Sequence, residues 1–385
     1  MKNMSTNEIS RLVDALTQEY YQIWEDVCNI ESPTAYKEGV DAVGQFFAEK
    51  ALEKGWRVEY CRQKVSGDAI CITLNPDVDT APIAVSGHMD TVHPVGSFGT
   101  PTVWKDEEKI YGPGTTDCKS GCVQGFFALD VLDRCGYRKR PVKLLLQSDE
   151  EVGSRTSNKE TIQWICQQAK DAIAFFNLED SYPGKAGISR KGIARYQFTA
   201  TGKAAHSCAC DNGANAVTQA AHMIIELEKL KDRKTITCNC SMISGGATPN
   251  SVPDKCTFVA DIRYGDDAYL ETIKNILETV STTEYVPGCS STYTQLSYRV
   301  SMPVVQRNLD LLDRVNEILA NAGMNSLAPI ALGGGSDAAD VTAAGIPCLD
   351  GMGPEGGGVH SLKEYAILAS LPASTKQLAT ILYHL

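Results

Sequence analysis

The stretch Ile83-Ala84-Val85-Ser86-Gly87-His88-Met89-Asp90 decides how the rest of the chain is interpreted. Its first part is an uncharged run typical of a buried strand, and two potential metal ligands follow where the run ends. Because side chains two positions apart on an extended chain point the same way, we expect His88 and Asp90 to face a common point. The end of such a strand is also where an open α/β sheet offers a crevice for ligands.

The length and composition of the chain limit the classes of protein to which it can belong. With 385 residues it exceeds the size at which one hydrophobic core keeps growing, so two domains are expected. A net charge of −11 argues against nucleic-acid partners and against binding to anionic membranes. The N-terminal residues lack the apolar segment of a signal peptide, and no stretch reaches the roughly 18 apolar residues of a membrane span. We therefore expect a soluble cytoplasmic protein whose fourteen cysteines are reduced.

The first half of the chain alternates helical and strand-like segments. Helices are predicted near residues 6–30, 38–54, 119–135 and 159–168, and strands near 56–62, 68–74, 82–87, 142–147 and 172–178. Because the strand interiors are largely uncharged, both faces of the sheet should be covered by helices. The pattern predicts an α/β fold with a mostly parallel sheet flanked by helices.

A second kind of pattern begins near residue 190, where apolar and polar residues alternate as in a strand with one exposed face. The predicted order from there is β-α-β-β-α-β, which is the ferredoxin-like arrangement. We place this inserted α+β domain at residues 190–301. The first domain would then be discontinuous and comprise residues 1–189 and 302–385.

Several acidic and histidine residues fall directly after predicted strands or in glycine-rich loops. Taken singly, each has an ordinary alternative: Asp117 could cap the following helix, and His360 could be a surface histidine. Carboxylates crowded into one crevice, however, repel each other unless cations neutralise them. The candidates for a metal site are His88, Asp90, Asp117, Glu150, Glu151, Glu179 and His360.

Five spaced motifs carry a resemblance to a known family. They are Ser86-Gly-His-Met-Asp-Thr-Val92, Tyr111-Gly-Pro-Gly-x-x-Asp-x-Lys-x-Gly121, Asp149-Glu-Glu-x-Gly-Ser154, Leu178-Glu179 and Val359-His-Ser361. In this order they resemble the two-zinc amidohydrolase and exopeptidase family of glutamate carboxypeptidase, acetylornithine deacetylase, succinyl-diaminopimelate desuccinylase and peptidase T. The family resemblance implies a zinc exopeptidase-like fold whose ferredoxin-like insert is a lid and dimerisation domain.

The resemblance also implies a set of metal ligands. Asp117 resembles the carboxylate that bridges two ions, His88 and Glu179 would complete one site, and Glu151 and His360 the other. Imidazole and carboxylate ligands suit two divalent ions, for which zinc is expected and cobalt or manganese would also fit.

Two further acids resemble catalytic groups of the family. Asp90 matches the residue that orients the His88 ring, and Glu150 matches the general base. The resemblance also implies that the Asp117–Cys118 peptide bond is cis.

Residues in and after the insert resemble substrate contacts. Arg263 matches the arginine that binds a substrate carboxylate, although a solvated charge is the alternative. Asn250 and the segment around Gly334 and Ser336 match additional contacts. His206 matches a histidine that reaches the partner subunit's active site and stabilises the oxyanion there, so a homodimer is expected; its alternative is simply to end a strand.

The function implied is metal-dependent hydrolysis of an amide bond next to a free carboxylate. The substrate would be a short peptide that loses its C-terminal residue, or an N-acyl amino acid, as for glutamate carboxypeptidase. Alternatives are an acetylornithine-type deacylase, a di- or tripeptidase, or a metal- and peptide-binding relative without turnover. The intact Glu150 argues against the last of these.

Overall fold

The structure, a computed structural model, describes residues 6–231 and 235–385. The helices in these residues are α1 (Thr6–Asn29), α2 (Lys37–Glu53), α3 (Lys119–Arg134), α4 (Glu160–Gln168), α5 (Ala216–Glu228), α6 (Leu270–Thr282), α7 (Gln306–Asn321), α8 (Asp337–Ala343) and α9 (Ser370–His384). The strands are β1 (Arg57–Cys61), β2 (Ala69–Leu74), β3 (Ile83–His88), β4 (Trp104–Lys105), β5 (Lys109–Tyr111), β6 (Val142–Gln147), β7 (Phe175–Asn177), β8 (Lys185–Arg190), β9 (Gly192–Thr201), β10 (Ile236–Gly245), β11 (Lys255–Tyr264), β12 (Ser290–Arg299), β13 (Ala328–Leu332), β14 (Cys348–Leu349), β15 (Gly356–Gly357) and β16 (Tyr365–Ile367).

The chain forms two compact units. The first comprises Met1–Ile188, Val304–Ala331 and Ser336–Leu385, and the second comprises Ser189–Pro303 with Leu332–Gly335. Residues 1–5 of the predicted first domain and 232–234 of the predicted insert lie outside the described residues.

The central sheet of the first unit has the strand order β1-β2-β6-β3-β7-β14. The pairs β6–β3, β3–β7 and β7–β14 are parallel, whereas β1–β2 and β2–β6 are antiparallel. The short connection between β1 and β2 requires an antiparallel pair, since a parallel one needs a long crossover. The predicted α/β class with a mostly parallel sheet is confirmed.

Helices cover both faces of this sheet. Gly44 of α2 packs against Ile70, and Gly125 of α3 packs against Leu144, which lies on the same face as Ile70 in the strand register. On the opposite face, Lys143 Nζ donates to the main-chain oxygen of Gln168 at the end of α4. Every residue of β2 and β3 is consequently buried, as the uncharged strand interiors predicted.

The second unit contains a four-stranded antiparallel sheet of order β10-β11-β9-β12. With α5 and α6 it has the predicted β-α-β-β-α-β order and the ferredoxin-like strand arrangement. Alternate residues of β11 are buried, and Phe258 stacks on Phe198 in the core beneath the helices. The domain boundaries at 190 and 302 and the roles as lid and dimerisation domain stay predictions.

Some small features of the first unit do not follow from the sequence patterns. The strand β8 was not anticipated, and it pairs with β13 in a two-stranded sheet. Strands β4 and β5 form an antiparallel hairpin, and β16 and β15 extend it to a four-stranded sheet. All fourteen cysteines are free thiols. Within the described residues, no helix has the length and apolar character needed to cross a membrane.

Candidate metal centre

The centre is built from the end of β3 outward. His88 is the last residue of that strand and is 2% exposed, and Asp90 two residues later is completely buried. His88 Nδ1 lies 3.0 Å from the main-chain oxygen of Asp90 and 3.3 Å from its carboxylate Oδ1. A ring that donates from Nδ1 to Asp90 directs Nε2 toward the crevice, which is the arrangement that a metal-binding imidazole needs.

Asp117 lies between two imidazoles in the glycine-rich loop before α3. Its Oδ1 is 2.8 Å from His88 Nε2, and its Oδ2 is 3.3 Å from His360 Nε2. The Asp117–Cys118 peptide bond is cis, which confirms that expectation. Asp117 does not cap α3 through its side chain, since the residue at the N-cap is Cys118. Each carboxylate oxygen of Asp117 therefore faces a different candidate ligand.

The close approach of α3 to the sheet explains the glycine four residues after Asp117. A Cβ atom on Gly121 would lie 2.1 Å from the main-chain oxygen of Leu178, the residue before Glu179. Only glycine lets the first turn of α3 pack this tightly against the end of β7. The same contact brings Asp117 and Glu179 to the same edge of the sheet.

The adjacent Glu150 and Glu151 begin a one-turn 3-10 helix after β6. The backbone N–H groups of Glu150 and Glu151 donate to the two oxygens of Asp90 at 3.1 and 3.2 Å. Thr34 Oγ1 also donates to Asp90, at 2.7 Å. The Glu151 carboxylate lies 3.2 Å from His360 Nε2. Asp90 thus orients both the His88 ring and the turn that carries the two glutamates.

Glu179 is a buried carboxylate directly after β7. It is 8% exposed, and its Oε1 lies 3.8 Å from His88 Nε2. Burial raises the pKa of Glu179 well above its usual range; His88 opposes this effect, whereas the charges of Asp117, Glu150 and Asp350 add to it. Such mutual repulsion among buried acids is relieved by a bound cation.

Three further groups of the centre, Glu151, His360 and Asp117, also have pKa values shifted from their usual ranges. Burial raises the pKa of Glu151 to about 8. Hydrogen bonds to Asp117 and Glu151 raise the pKa of His360 to about 10. Burial alone would raise the pKa of Asp117, but its hydrogen bonds to His360 and His88 hold it below its usual range.

The donor set fits divalent ions. Two groups have ligand atoms within 4.8 Å of one another: His88, Asp117 and Glu151, and His88, Cys118 and Glu179. Imidazole nitrogens with carboxylate oxygens suit zinc, manganese or cobalt. The Cys118 thiol instead donates to the main-chain oxygen of Leu178 at 3.1 Å, and burial raises its pKa well above the usual range. In this arrangement the thiol hydrogen is directed at the backbone of Leu178.

Four predicted residues lie in the second unit, namely His206, Asn250, Arg263 and Gly334. His206 is exposed, and its Nδ1 accepts a hydrogen bond from the backbone N–H of Cys208 at 3.2 Å. The exposed Asn250 accepts from the backbone of Ser207 through its main-chain oxygen. Arg263 is 27% exposed and donates from Nε to Asp261 at 2.7 Å. Its guanidinium is thus already held by a carboxylate on the same strand.

The glycine-rich segment contributes two candidates with different surroundings. Gly334 is exposed. Ser336 is completely buried: its Oγ caps α8 by accepting from the backbone N–H of Ala338, and it also accepts from Asn177 Nδ2 at 2.9 Å. The Ser336 side chain therefore has a clear structural task as a helix cap.

Sequence reasoning missed a buried pair beside the centre. His93 belongs to none of the five motifs, and its Nε2 lies 2.8 Å from Glu364 Oε2. Glu364 in turn accepts hydrogen bonds from the backbone of the Asp117 loop. The only sequence signal was the position of Glu364 four residues after His360.

The chain is similar to known proteins in sequence and in fold. The sequence model of "Peptidase family M20/M25/M40" matches residues 84–384. Carboxypeptidase G2 from Pseudomonas sp. (strain RS-16) is 28% identical over 356 residues, which are 90% of this chain and 85% of that protein. A tripeptidase structure from Staphylococcus aureus subsp. aureus Mu50 superposes with a TM-score of 0.81 at 21% identity, covering 96% of this chain and 98% of that one. A dinuclear metal-binding M20 peptidase from Bacillus subtilis superposes with a TM-score of 0.70 at 14% identity, covering 96% and 98%.

Proposed function

Because the chain belongs to peptidase family M20/M25/M40, we propose that it hydrolyses an amide bond next to a free carboxylate. As a member it is a metal-dependent hydrolase that acts on peptides or N-acyl amino acids. Our proposal is narrower: the substrate is a short peptide cleaved before its C-terminal residue, or an N-acyl amino acid. The observation that carries it is the position of Asp117, whose two oxygens face different histidines.

Five residues are proposed to hold two divalent ions, with Asp117 as a ligand of both ions. His88 and Glu179 would bind one ion, Glu151 and His360 the other, and Asp117 both. The strongly raised pKa of the buried Glu179 supports this assignment, because a cation removes the cost of ionising it. Zinc is the proposed metal, although the same ligands suit cobalt and manganese. When bound, the ions would lower the pKa of the attacking water and polarise the scissile carbonyl.

Glu150 is proposed as the general base. It would take a proton from the water whose oxygen attacks the carbonyl carbon, and would return that proton to the amine as the C–N bond breaks. Its position supports this role, since it is only 7% exposed and Asp90 holds its backbone N–H. A buried carboxylate whose backbone is held in place can accept a proton without first losing bound water molecules.

Residues of the second unit, together with Ser336 of the first unit, are proposed to recognise the substrate. Arg263 would bind its carboxylate, with Asn250, Gly334 and Ser336 as further contacts, and His206 would donate to the oxyanion. Asp261 supports Arg263 by keeping its guanidinium in one orientation. Ser336 would contact the substrate through its backbone, since its hydroxyl caps α8.

The experiment is an activity panel of dipeptides, tripeptides and N-acyl amino acids, each measured with zinc, cobalt and manganese. The matched control for each substrate is its C-terminal amide. Loss of a charged hydrogen bond predicts that amidation lowers kcat/KM by about 10- to 100-fold.

The pattern of turnover separates the alternatives. Cleavage of N-acyl amino acids without cleavage of peptides would favour a deacylase. Equal turnover of acids and amides would contradict the carboxylate requirement. Binding of peptides without turnover by any of the metal forms would favour a non-catalytic relative.

A further inference from the structure

Glu364 is an internal carboxylate with an unusual set of donors. It is 1% exposed, and four groups converge on it. Oε1 accepts from the backbone N–H groups of Thr116 at 3.0 Å and Asp117 at 3.1 Å. Oε2 accepts from the backbone N–H of Gly114 at 3.2 Å and from His93 Nε2 at 2.8 Å. We propose that Glu364 and His93 form a positioning clamp that holds Asp117 against His360 and thereby sets the affinity of the centre for its ions.

The loop before Asp117 depends on this carboxylate. Residues 112–117 belong to no helix or strand, and Gly112 and Gly114 have positive φ angles of 149° and 73°. Backbone N–H groups buried outside regular structure need acceptors from side chains. One ionised carboxylate serves three of them, through charge-assisted bonds that are stronger than neutral ones. The direction of the Asp117 side chain is therefore fixed through its own N–H.

The same residue also controls the loop that carries His360. Glu364 N donates to the main-chain oxygen of Ser361 at 3.1 Å, and Ser361 Oγ donates to the main-chain oxygen of Gly358 at 2.6 Å. This compact turn connects Glu364 to His360, whose Nε2 lies 3.3 Å from Asp117 Oδ2. The Glu364 carboxylate thus joins two loops whose side chains meet in the candidate centre.

His93 adds a third chain segment to the clamp. It follows Asp90 by three residues, and its ring packs edge-on against Phe98 at a centroid distance of 4.9 Å. Because a carboxylate can only accept, Nε2 of His93 carries the proton in this bond. The segments after β3, before α3 and after His360 are consequently tied to one side chain.

The clamp can be tested with Glu364→Gln, which preserves size. A glutamine has one acceptor oxygen, so its NH₂ group must face either the two loop N–H groups at Oε1 or the Gly114 and His93 donors at Oε2. His93→Gln, which leaves the Glu364 carboxylate in place, is the milder variant should Glu364→Gln fail to fold. Asp130→Asn, a substitution of a buried carboxylate of the same unit outside the centre, is the matched control.

The first measurement is hydrogen exchange of the amides of residues 112–118 in metal-free protein. We expect exchange to rise by at least about tenfold more in Glu364→Gln than in the control, since the NH₂ group of glutamine leaves either the N–H groups of Thr116 and Asp117 or that of Gly114 without an acceptor. The second is calorimetric titration with zinc and with manganese. Because residues that support metal ligands typically change affinity by about 10- to 100-fold, we expect a loss of that size in Glu364→Gln and a smaller one in His93→Gln. With ions in excess, kcat should recover while KM stays near that of the unaltered protein.

This inference rests on the proposed function, and the outcomes separate the two. Failure of the unaltered protein to bind divalent ions would overturn the proposed function. It would also overturn the proposed effect of the clamp on ion affinity. Normal ion binding by the unaltered protein, with equal affinity in Glu364→Gln, would overturn the clamp alone. An equal loss of affinity in Asp130→Asn would also overturn it, because general destabilisation would then explain the effect.

Discussion

At the scale of single residues, the proposal depends most on Asp117, which it assigns as a ligand of both ions. Asp117→Ala should release both ions, because each would lose a charged ligand at once. His360→Ala is the comparison: it removes a ligand from one proposed site only, so about one ion per chain should remain. Elemental analysis after dialysis measures both. Retention of one full equivalent of metal by Asp117→Ala would contradict the bridging role of Asp117.

A second residue-scale prediction concerns Glu150. Glu150→Gln keeps the size of the side chain and removes the base, so turnover should fall by about two to four orders of magnitude. Metal content should be unchanged, because Glu150 is not among the proposed ligands. Single-turnover kinetics and elemental analysis check the two expectations. Undiminished turnover in this variant would show that another group accepts the proton.

At the scale of elements, a buried ionic network joins the first three helices of the chain. Asp130 of α3 accepts from Tyr20 of α1 at 2.9 Å and from Lys54 at the end of α2 at 2.8 Å. Arg134, one turn later in α3, donates to the same carboxylate at 3.0 Å. Burial opposes ionisation, but the bonds from Arg134 and Lys54 hold the pKa of Asp130 below its usual range.

Asp130→Asn should therefore lower the free energy of unfolding at pH 7 by about 1–3 kcal/mol, the cost of losing charged hydrogen bonds in a buried place. A carboxyl whose pKa is depressed by folding contributes stability above its unfolded pKa and loses it as pH falls through its folded pKa. The difference between the two proteins should thus shrink in acid, below about pH 4. Urea unfolding at several pH values measures this.

The control for that series is Asp77→Asn. Asp77 pairs with Arg57 at 3.3 Å, but its side chain is 91% exposed. Exposed pairs contribute little, so its effect should stay within about 0.5 kcal/mol. If Asp130→Asn and Asp77→Asn had the same free energy of unfolding at pH 7, the hydrogen bonds to Asp130 would make no contribution to stability.

At the scale of the whole molecule, the prediction concerns the proposed homodimer and His206. In the second unit β10 is an edge strand, and Met242 and Ile243 on it are 79% and 55% exposed. Apolar side chains on an open edge favour pairing with a second copy.

Mixing His206→Ala chains with Asp117→Ala chains tests whether His206 acts in the partner's site. A mixed dimer would contain one site with both intact metal ligands and an intact histidine only if the histidine crosses over, so activity should partly recover. Each variant alone should be nearly inactive; the loss expected for an oxyanion donor is about 10²- to 10³-fold. Mixed dimers verified by mass spectrometry that remain inactive would place His206 in its own subunit or outside catalysis. The homodimer, like cytoplasmic location, stays a prediction.

Local patterns in the sequence were sufficient for the fold class, the ferredoxin-like second unit and the residues that meet at the candidate centre. The reason is that helices and strands bury residues at fixed periods, and parallel strands bring the residues after their carboxyl ends to one edge. That argument covers His88, Glu151 and Glu179, whereas Asp117 and His360 lie in glycine-rich loops and were joined to them through the family resemblance of their motifs.

Other features were decided only by the tertiary structure. His93 is a single histidine without motif spacing, and its partner Glu364 is 271 residues away in the chain. The sequence also did not predict the pairing of Arg263 with Asp261 or the capping role of Ser336, since each side chain had several possible partners. Periodicity states which face of an element a residue occupies, but the choice of a hydrogen-bond partner depends on which distant segment packs within about 3 Å of it. Only the folded chain determines that distance.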